Sequence, residues 1–248
     1  MIKVKRPKKL LSVGTNAKTI KSDKSSEYLT AILYMAPHKE NTKGVNLCPK
    51  ASTGCAAACL YTAGRGKFSN VQEARIAKAD WFVEDRKGFL EQLHKEMLRH
   101  SFNARLAGKR PAIRLNGTSD ILWGKLIDMS LFPEVMYYDY TKYDPTRRRD
   151  LLTDNYHVTY SRAEDTLDEE IERIVGMGYN VAVVFEGKEL PKEYLGYPVY
   201  NGDLTDLRFL DPSKHIIGLS AKGDAKKDTS GFVVKIDVKT NVTVGDIL

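Results

Sequence analysis

The alternation of short apolar runs with longer helical patterns limits the fold of this chain more than any other feature. The strongest helical pattern is Leu167–Met177, and it ends at Gly178, a residue typical of a helix C-terminus. The run Asn180–Phe185 that follows is uninterrupted and rich in valine, which indicates a strand buried on both faces. Strands that alternate with helices predict an α/β fold with a mainly parallel sheet and right-handed crossovers.

The predicted elements extend this pattern along most of the chain. Helices are predicted at residues 71–107, 122–131, 145–152 and 167–177, with Gly88 dividing the first. Strands are predicted at residues 27–36, 112–115, 134–139, 156–160, 180–185, 197–200, 216–219 and 232–238. This number of strands predicts a full or incomplete parallel (β/α) barrel, and the alternative is a doubly wound open sheet.

Composition places the chain among globular proteins. Of its 248 residues 42% are hydrophobic and 29% are charged, which excludes a disordered or fibrous chain. No stretch approaches the roughly 20 apolar residues that span a bilayer, and the start lacks the apolar run of a signal peptide. We therefore expect a soluble, cytoplasmic protein with no membrane partner. Residues 1–27 are predicted to form a basic N-terminal arm or extension, and residues 28–248 a single barrel-like domain.

The net charge of +7 is compatible with nucleic acid as a partner but does not require one. The stretch Tyr137–Tyr143 combines aromatic side chains with Lys142, a mixture that can stack on bases and contact phosphates. The nearby run Arg147–Arg149 is more simply explained as a solvated surface.

All three cysteines lie within twelve residues, in the segment NLCPKASTGCAAACL. Cys48, Cys55 and Cys59 have the spacing C-x6-C-x3-C, and an odd number of clustered cysteines argues against a disulfide framework. Cys55 and Cys59 are four residues apart, so one helical turn would place both sulfurs on the same face. The pattern predicts a metal centre, and three cysteine ligands on a four-iron, four-sulfur ([4Fe-4S]) cluster would leave one iron open to a small-molecule ligand.

Three other interpretations of the cysteines stay open. His38 precedes Cys48 by ten residues and could complete a zinc site with three cysteines and one histidine. A residue other than cysteine could supply a fourth ligand to a cluster. The three cysteines could also pack as small reduced hydrophobic side chains without any metal.

A cysteine triad after the first strand of a (β/α) barrel resembles the radical S-adenosylmethionine (SAM) superfamily. The usual spacing there is C-x3-C-x2-C, so the resemblance concerns architecture rather than the motif itself. It implies that a bound cluster could take SAM as a second cofactor at its open iron. It also implies that the chain could be an enzyme, although it identifies no catalytic residue. The alternative is a non-catalytic barrel in which a cluster or zinc stabilises the cysteine loop and which binds nucleic acid or a host protein.

A second resemblance is to a phage protein family named after a mycobacteriophage gene product of unknown role. It is carried by GVNLCPKASTGCAAACLYTAGRG, residues 44–66, and by RLNGTSDILW, residues 114–123. With the strand pattern that follows, it covers most of residues 28–225. This resemblance implies a bacteriophage protein located in the cytoplasm of the host cell.

Polar side chains follow each predicted strand, at the end where the active sites of parallel barrels lie. Asn116, Ser119 and Asp120 follow the strand at 112–115, and the radical SAM resemblance implies that they contact the amino group of the cofactor. Capping of the next helix is an equally good explanation of Asp120. The complete set of candidate cofactor-binding residues is Asn116, Ser119, Asp120, Lys142, Ser161, Arg162, Asn201, Asp203 and Lys222.

Overall fold

A computed structural model describes residues 6–15, 17–237 and 242–243 of the chain. Its α-helices are α1 (Ala17–Ser25), α2 (Thr53–Ala57), α3 (Ser69–Glu84), α4 (Arg86–Leu106) and α5 (Asp168–Gly176). Its strands are β1 (Leu11–Val13), β2 (Tyr28–Leu33), β3 (Arg110–Arg114), β4 (Met136–Thr141), β5 (Tyr156–Ser161), β6 (Val181–Phe185), β7 (Glu193–Tyr194), β8 (Tyr197–Asn201), β9 (Ile216–Ser220), β10 (Val233–Val234), β11 (Ile236–Asp237) and β12 (Val242–Thr243).

The first of two compact units consists of Met1–Pro49, Arg65–Asp139 and Asp150–His157. Its strand order is β1-β2-β3-β4, in which β1 pairs antiparallel with β2 while β2, β3 and β4 are parallel. Helices α3 and α4 bury one face, where Phe89 packs edge-on against Trp81 and Phe82. This aromatic cluster, extended by the contact of Phe82 with Trp123, forms much of the core of the unit.

The second unit consists of Lys50–Gly64, Tyr140–Arg149 and Val158–Leu248. Its main strand order is β5-β6-β9-β8-β7, with β10 also paired to β6, and every pair of this sheet except β7 with β8 is parallel. Strands β11 and β12 form a separate antiparallel pair. Central strand β6 is almost wholly buried, as its valine-rich sequence predicts. Helix α5 packs Ile171, Ile174 and Val175 against this sheet and completes the core of the unit.

The α/β class and the mainly parallel character of the sheet are confirmed, but a closed barrel is not. Closure requires that every strand have a neighbour on each side. Among the described strands, β1 and β7 each have one neighbour, so the strand paths are open. The short antiparallel pairings at β1 and β7 end the two paths, and the observed order leaves the predicted alternative of an open sheet in place.

Two predicted helices are wrong. Residues 122–131 form short 3-10 turns at Trp123–Lys125 and Met129–Leu131 instead of one helix. The carboxylate of Asp128 accepts hydrogen bonds from the backbone and hydroxyl of Ser130, and such local bonds favour turns over helix. Residues 145–152 likewise form two 3-10 turns, where the carboxylate of Asp144 accepts from Thr146.

The long helical stretch does divide, but three residues before the predicted glycine. Asp85 ends α3 and caps α4, because its carboxylate accepts a hydrogen bond of 3.0 Å from the backbone N–H of Gly88. Gly178 has a φ of +99° directly after the C-terminus of α5, as predicted from the sequence.

The predicted N-terminal extension contains β1 and α1 within its described residues, and its chain is held by two buried charged side chains. The carboxylate of Glu96 accepts from the backbone N–H groups of Leu10 and Leu11 at 2.8–2.9 Å. The ammonium of Lys78 donates to the carbonyl of Leu10 at 2.6 Å. Within the described residues, no helix is both long enough and apolar enough to cross a membrane.

Candidate functional site

The N-terminus of the short cysteine helix α2 is held by one carboxylate of the second unit. Glu164 accepts a 2.6 Å hydrogen bond from the backbone N–H of Gly54 and a 2.5 Å bond from the hydroxyl of Ser52. Ser52 in turn accepts from the backbone N–H of Cys55 at 3.1 Å. Partial burial acts to raise the pKa of Glu164, but the bonds from Ser52 and Gly54 outweigh it and hold the pKa below its ordinary value.

Cys55 packs beside the carboxyl ends of the parallel strands in the second unit. Its side chain is partly buried against the apolar cluster of Ala58, Ala221, Ala225, Phe232 and Val233. Ala221 follows β9 directly, so this end of the sheet is the edge where parallel α/β proteins bind ligands. Within this unit, the geometry agrees with the expectation that the cysteine segment lies at strand ends.

The residues around Cys59 continue along the same edge. Cys59 precedes the 3-10 turn Leu60–Thr62, which contacts the turn Gly223–Lys227 after β9. Gly223 has a φ of +59°, and a Cβ atom there would lie 2.9 Å from the Cβ of Ala63. Glycine is therefore required at position 223 for the cysteine segment to approach this strand end.

Cys48 belongs to the first unit, where it lies beside the turn that follows β3. Its backbone N–H donates to the side chain of Asn46 at 2.9 Å, and its buried sulfur lies 3.8 Å from the carbonyl of Thr118. Two residues on, the backbone N–H of Asp120 donates to the carbonyl of Leu47 at 2.9 Å. The predicted polar turn is thus next to Cys48.

Asn116 is the centre of this turn. Its side-chain oxygen accepts hydrogen bonds of 3.0 Å from the hydroxyl of Ser119, the backbone N–H of Ile121 and the indole N–H of Trp123. Its amide nitrogen donates to the carbonyl of Ile121 at 3.0 Å. Asn116 and Ser119 are both buried, so these bonds shape the turn and occupy the side-chain oxygen of Asn116.

Asp139, inside β4, lies against the same turn and is only 1% exposed. Its carboxylate accepts 2.6 Å from the backbone N–H of Asn116 and 2.9 Å from the hydroxyl of Tyr156. Burial raises the pKa of Asp139 to about 7, although the bond from Asn116 and the charge of Arg114 oppose that rise. Burial and the neighbouring Asp139 also raise the pKa of Tyr156.

Asp139 and Glu164 are not in the set of candidate cofactor-binding residues predicted from the sequence. Asp139 lies within β4 and Glu164 lies three residues after β5, and such positions are weak signals that many other residues share. Their importance comes from burial and from backbone N–H partners, and no sequence pattern reveals either of these.

The cationic candidates are engaged by neighbouring groups of the second unit. Lys142 donates to the carbonyls of Ser161 and Arg162 at 3.0 Å, and its ammonium lies 5.2 Å from the ring centroid of Phe232. Arg162 donates to the carbonyl of Gly231 at 2.9 Å. These contacts join the chain after β4, the end of β5 and the chain before β10, and cofactor binding by Lys142 and Arg162 stays a prediction.

The candidates after β8 and β9 form a third local group. The ammonium of Lys222 lies 2.6 Å from one carboxylate oxygen of Asp203, and the other oxygen accepts from the backbone N–H of Ser220 at 2.9 Å. The side chain of Asn201 accepts from the backbone N–H of Asp203 at 2.9 Å. The structure thus brings Asn201, Asp203 and Lys222 together through bonds among themselves.

The three cysteine side chains of the segment are soft sulfur donors, which suit a thiophilic metal by chemistry. Their arrangement does not yet fit one. In the part of the chain that the structure describes, no group of three or more His, Cys, Asp or Glu side chains is placed to hold a metal ion. The donor type therefore supports the predicted metal site, while the described geometry does not.

A family model described as Gene product 88 (GP88) matches residues 8–236. The chain belongs to the GP88 family. The matched range includes the cysteine segment and the polar residues that follow the strands. The match confirms the expected membership of a phage gene-product family. No curated protein and no solved structure matches the chain.

Proposed function

We propose that this GP88 protein binds a thiophilic metal centre, a 4Fe-4S cluster, through Cys48, Cys55 and Cys59. The observation that carries the proposal is that all three cysteines of the chain lie within one segment of twelve residues. Cysteine thiolates are the usual ligands of iron–sulfur clusters and select such soft metal centres over oxygen-bound ions.

Among the described residues, no three possible metal ligands are placed close enough to hold an ion. The proposal therefore requires the cysteines to move when the metal binds. Three thiolates repel one another without a cation, so a site of this kind generally forms together with its metal. Metal binding must therefore rearrange the segment that carries Cys48, Cys55 and Cys59. Burial of Cys48 and packing of Cys55 are the contacts that such a rearrangement would change.

The radical SAM version of the proposal is less well supported. It assigns SAM to the open iron and gives Asn116, Ser119 and Asp120 the role of contacting its amino group. However, Asn116 and Ser119 are buried and bonded to one another, with further bonds to Ile121 and Trp123. An incomplete barrel would suit SAM. In the observed turn, however, the side chains of Asn116 and Ser119 form hydrogen bonds that stabilise the turn itself.

The deciding experiment is anaerobic reconstitution of the full chain with iron and sulfide, followed by metal analysis and visible absorbance. We expect a brown protein with iron and sulfide in equal amounts, and loss of both in C48S, C55S and C59S. The matched control is S213A, a serine exposed on a loop of the second unit, which should bind as the unaltered chain does. A colourless protein without iron would reject the cluster.

A zinc site with His38 as fourth ligand is distinguished in the same experiment. It predicts one zinc per chain, no sulfide, and loss of zinc in H38A. If iron is bound, titration with SAM under paramagnetic resonance tests the radical SAM version, and an unchanged signal of the reduced cluster would reject it.

A further inference from the structure

Helix α4 carries an apolar stripe on the face opposite its buried side. Leu98, Phe102 and Leu106 are exposed by 50%, 54% and 72%. They are four residues apart, so they follow one another along one face of the helix, about 40° apart at each step. The opposite face holds Leu93 and Met97, which are buried against the sheet.

A surface helix normally presents charged and polar residues on its solvent face. Here the solvent face has three large apolar side chains in a row, and contiguous exposed apolar surface marks interaction sites more often than isolated residues do. The ring of His94 packs 4.9 Å from that of Phe132, and the adjacent Leu131 is 70% exposed.

Positive charges border the stripe. Lys95, Arg99 and Arg105 are exposed on the same side of α4, and Glu91 is the acidic residue nearest to them along that face. Glu91 is four residues before Lys95, so it offsets one charge of the three. Within the residues that the structure describes, no ion pair joins Arg99 or Arg105 to an acidic side chain.

We infer that this stripe of α4 is a docking surface for an acidic amphipathic helix of a partner protein. Leu98, Phe102 and Leu106 would pack against apolar side chains of that helix at matching spacing, as in other helix-to-surface interfaces. Carboxylates flanking its apolar face would pair with Arg99 and Arg105, which sets the orientation and raises the association rate.

The positive charges beside the stripe favour an acidic helix over two other occupants, a second copy of the chain and a membrane. A second copy of the chain would bring the basic border of one α4 against the basic border of the other, and like charges facing each other oppose association. A membrane of anionic lipids satisfies the charges too, but the three side chains and Leu131 give a narrow apolar surface compared with that of interfacial helices. This inference is independent of the cysteine site.

The test uses the full chain and a labelled helical peptide of roughly five turns, with leucines on one face and glutamates beside them. We expect saturable binding by fluorescence anisotropy. The control peptide has lysine in place of every glutamate and should not bind. The variant L98Q/F102Q should bind the acidic peptide about tenfold more weakly, because the centre of the apolar contact is lost.

The charge-reversed variant R99E/R105E is the most stringent test of the proposed charge pairing. It should lose the acidic peptide and gain the lysine peptide, a gain of binding that an unfolded protein cannot produce. The inference is overturned if neither peptide binds, or if both peptides bind equally. It is also overturned if sedimentation shows a dimer that L98Q/F102Q abolishes, or if only phosphatidylglycerol vesicles bind.

Discussion

The buried carboxyl of Asp139 should make the stability of the first unit depend on pH. In the folded chain the pKa of Asp139 is raised to about 7 by burial, whereas the ordinary value is 3.8. A raised pKa means that the folded state binds this proton more tightly than the unfolded state does. The contribution to stability is therefore complete below about pH 4 and is lost as the pH rises through about 7.

The magnitude follows from the shift. Between about pH 5 and pH 7 the folded chain keeps the proton and the unfolded chain does not, so each pH unit lowers the free energy of unfolding by about 1.4 kcal/mol. From about pH 5 to pH 8 the loss is on the order of 2–3 kcal/mol, because the effect levels off once Asp139 is ionised in both states.

The variant D139N isolates this contribution. Asparagine keeps the shape of the protonated carboxyl, its oxygen can accept from the N–H of Asn116, and its amide can donate to the oxygen of Tyr156. Buried His100 and partly buried His38 have lowered pKa values, chiefly through burial, and produce the opposite trend with pH. Both histidines remain in D139N, so the difference between the two proteins cancels them.

The assay is urea denaturation followed by tryptophan fluorescence at a series of pH values. Both tryptophans, Trp81 and Trp123, lie in the first unit, and Trp123 bonds directly to Asn116 above Asp139. We expect the stability of D139N relative to the unaltered chain to rise by about 2–3 kcal/mol from about pH 5 to pH 8.

The matched control is D128N, which neutralises an exposed carboxylate of the same unit and should give a difference nearly independent of pH. A second variant, Y156F, removes a hydrogen bond that stabilises the ionised form, so it should move the transition to higher pH. If the difference between D139N and the unaltered chain stays constant within about 0.5 kcal/mol over this range, Asp139 is not a buried acid of raised pKa.

Three further perturbations test other contacts. E164Q should weaken the hold on the N-terminus of α2 by about 1 kcal/mol and increase the rate at which Cys55 reacts with a maleimide, measured against an unchanged rate in E186Q. E96Q should cost about 2 kcal/mol in urea denaturation, because a charged acceptor of three buried hydrogen bonds becomes neutral, and a loss below about 0.5 kcal/mol would contradict this role. G117A should also be destabilising by about 1–3 kcal/mol, since its Cβ would lie 2.7 Å from a backbone carbonyl of β2, and an unchanged urea midpoint would refute that crowding.

Local pattern predicted the parts of the fold that depend on neighbours along the chain. The valine-rich β6, the helix α5 and the glycine after that helix were all predicted from sequence and are present. Residues 122–131 were mispredicted because apolar spacing alone does not register that Asp128 bonds to Ser130 and stabilises a turn.

The candidate site was predicted only as a set of positions. The turn around Asn116 does lie beside Cys48, and Cys55 does lie at a strand end of its own unit. The roles of the side chains could not be predicted, because Lys142 and Asp203 are paired with groups that are distant in sequence. Whether a polar residue is available to a ligand depends on those partners.

By itself, the sequence determined the α/β class, the mainly parallel order and the grouping of three thiols, because each of these follows from residue type and spacing. Tertiary structure alone decided that the strand paths are open, that Glu164 holds the cysteine helix, and that Asp139 lies buried under the Asn116 turn. The physical reason is that burial and hydrogen-bond geometry arise from segments that meet only in the folded chain, and these set the pKa of a carboxyl and the exposure of a helix face.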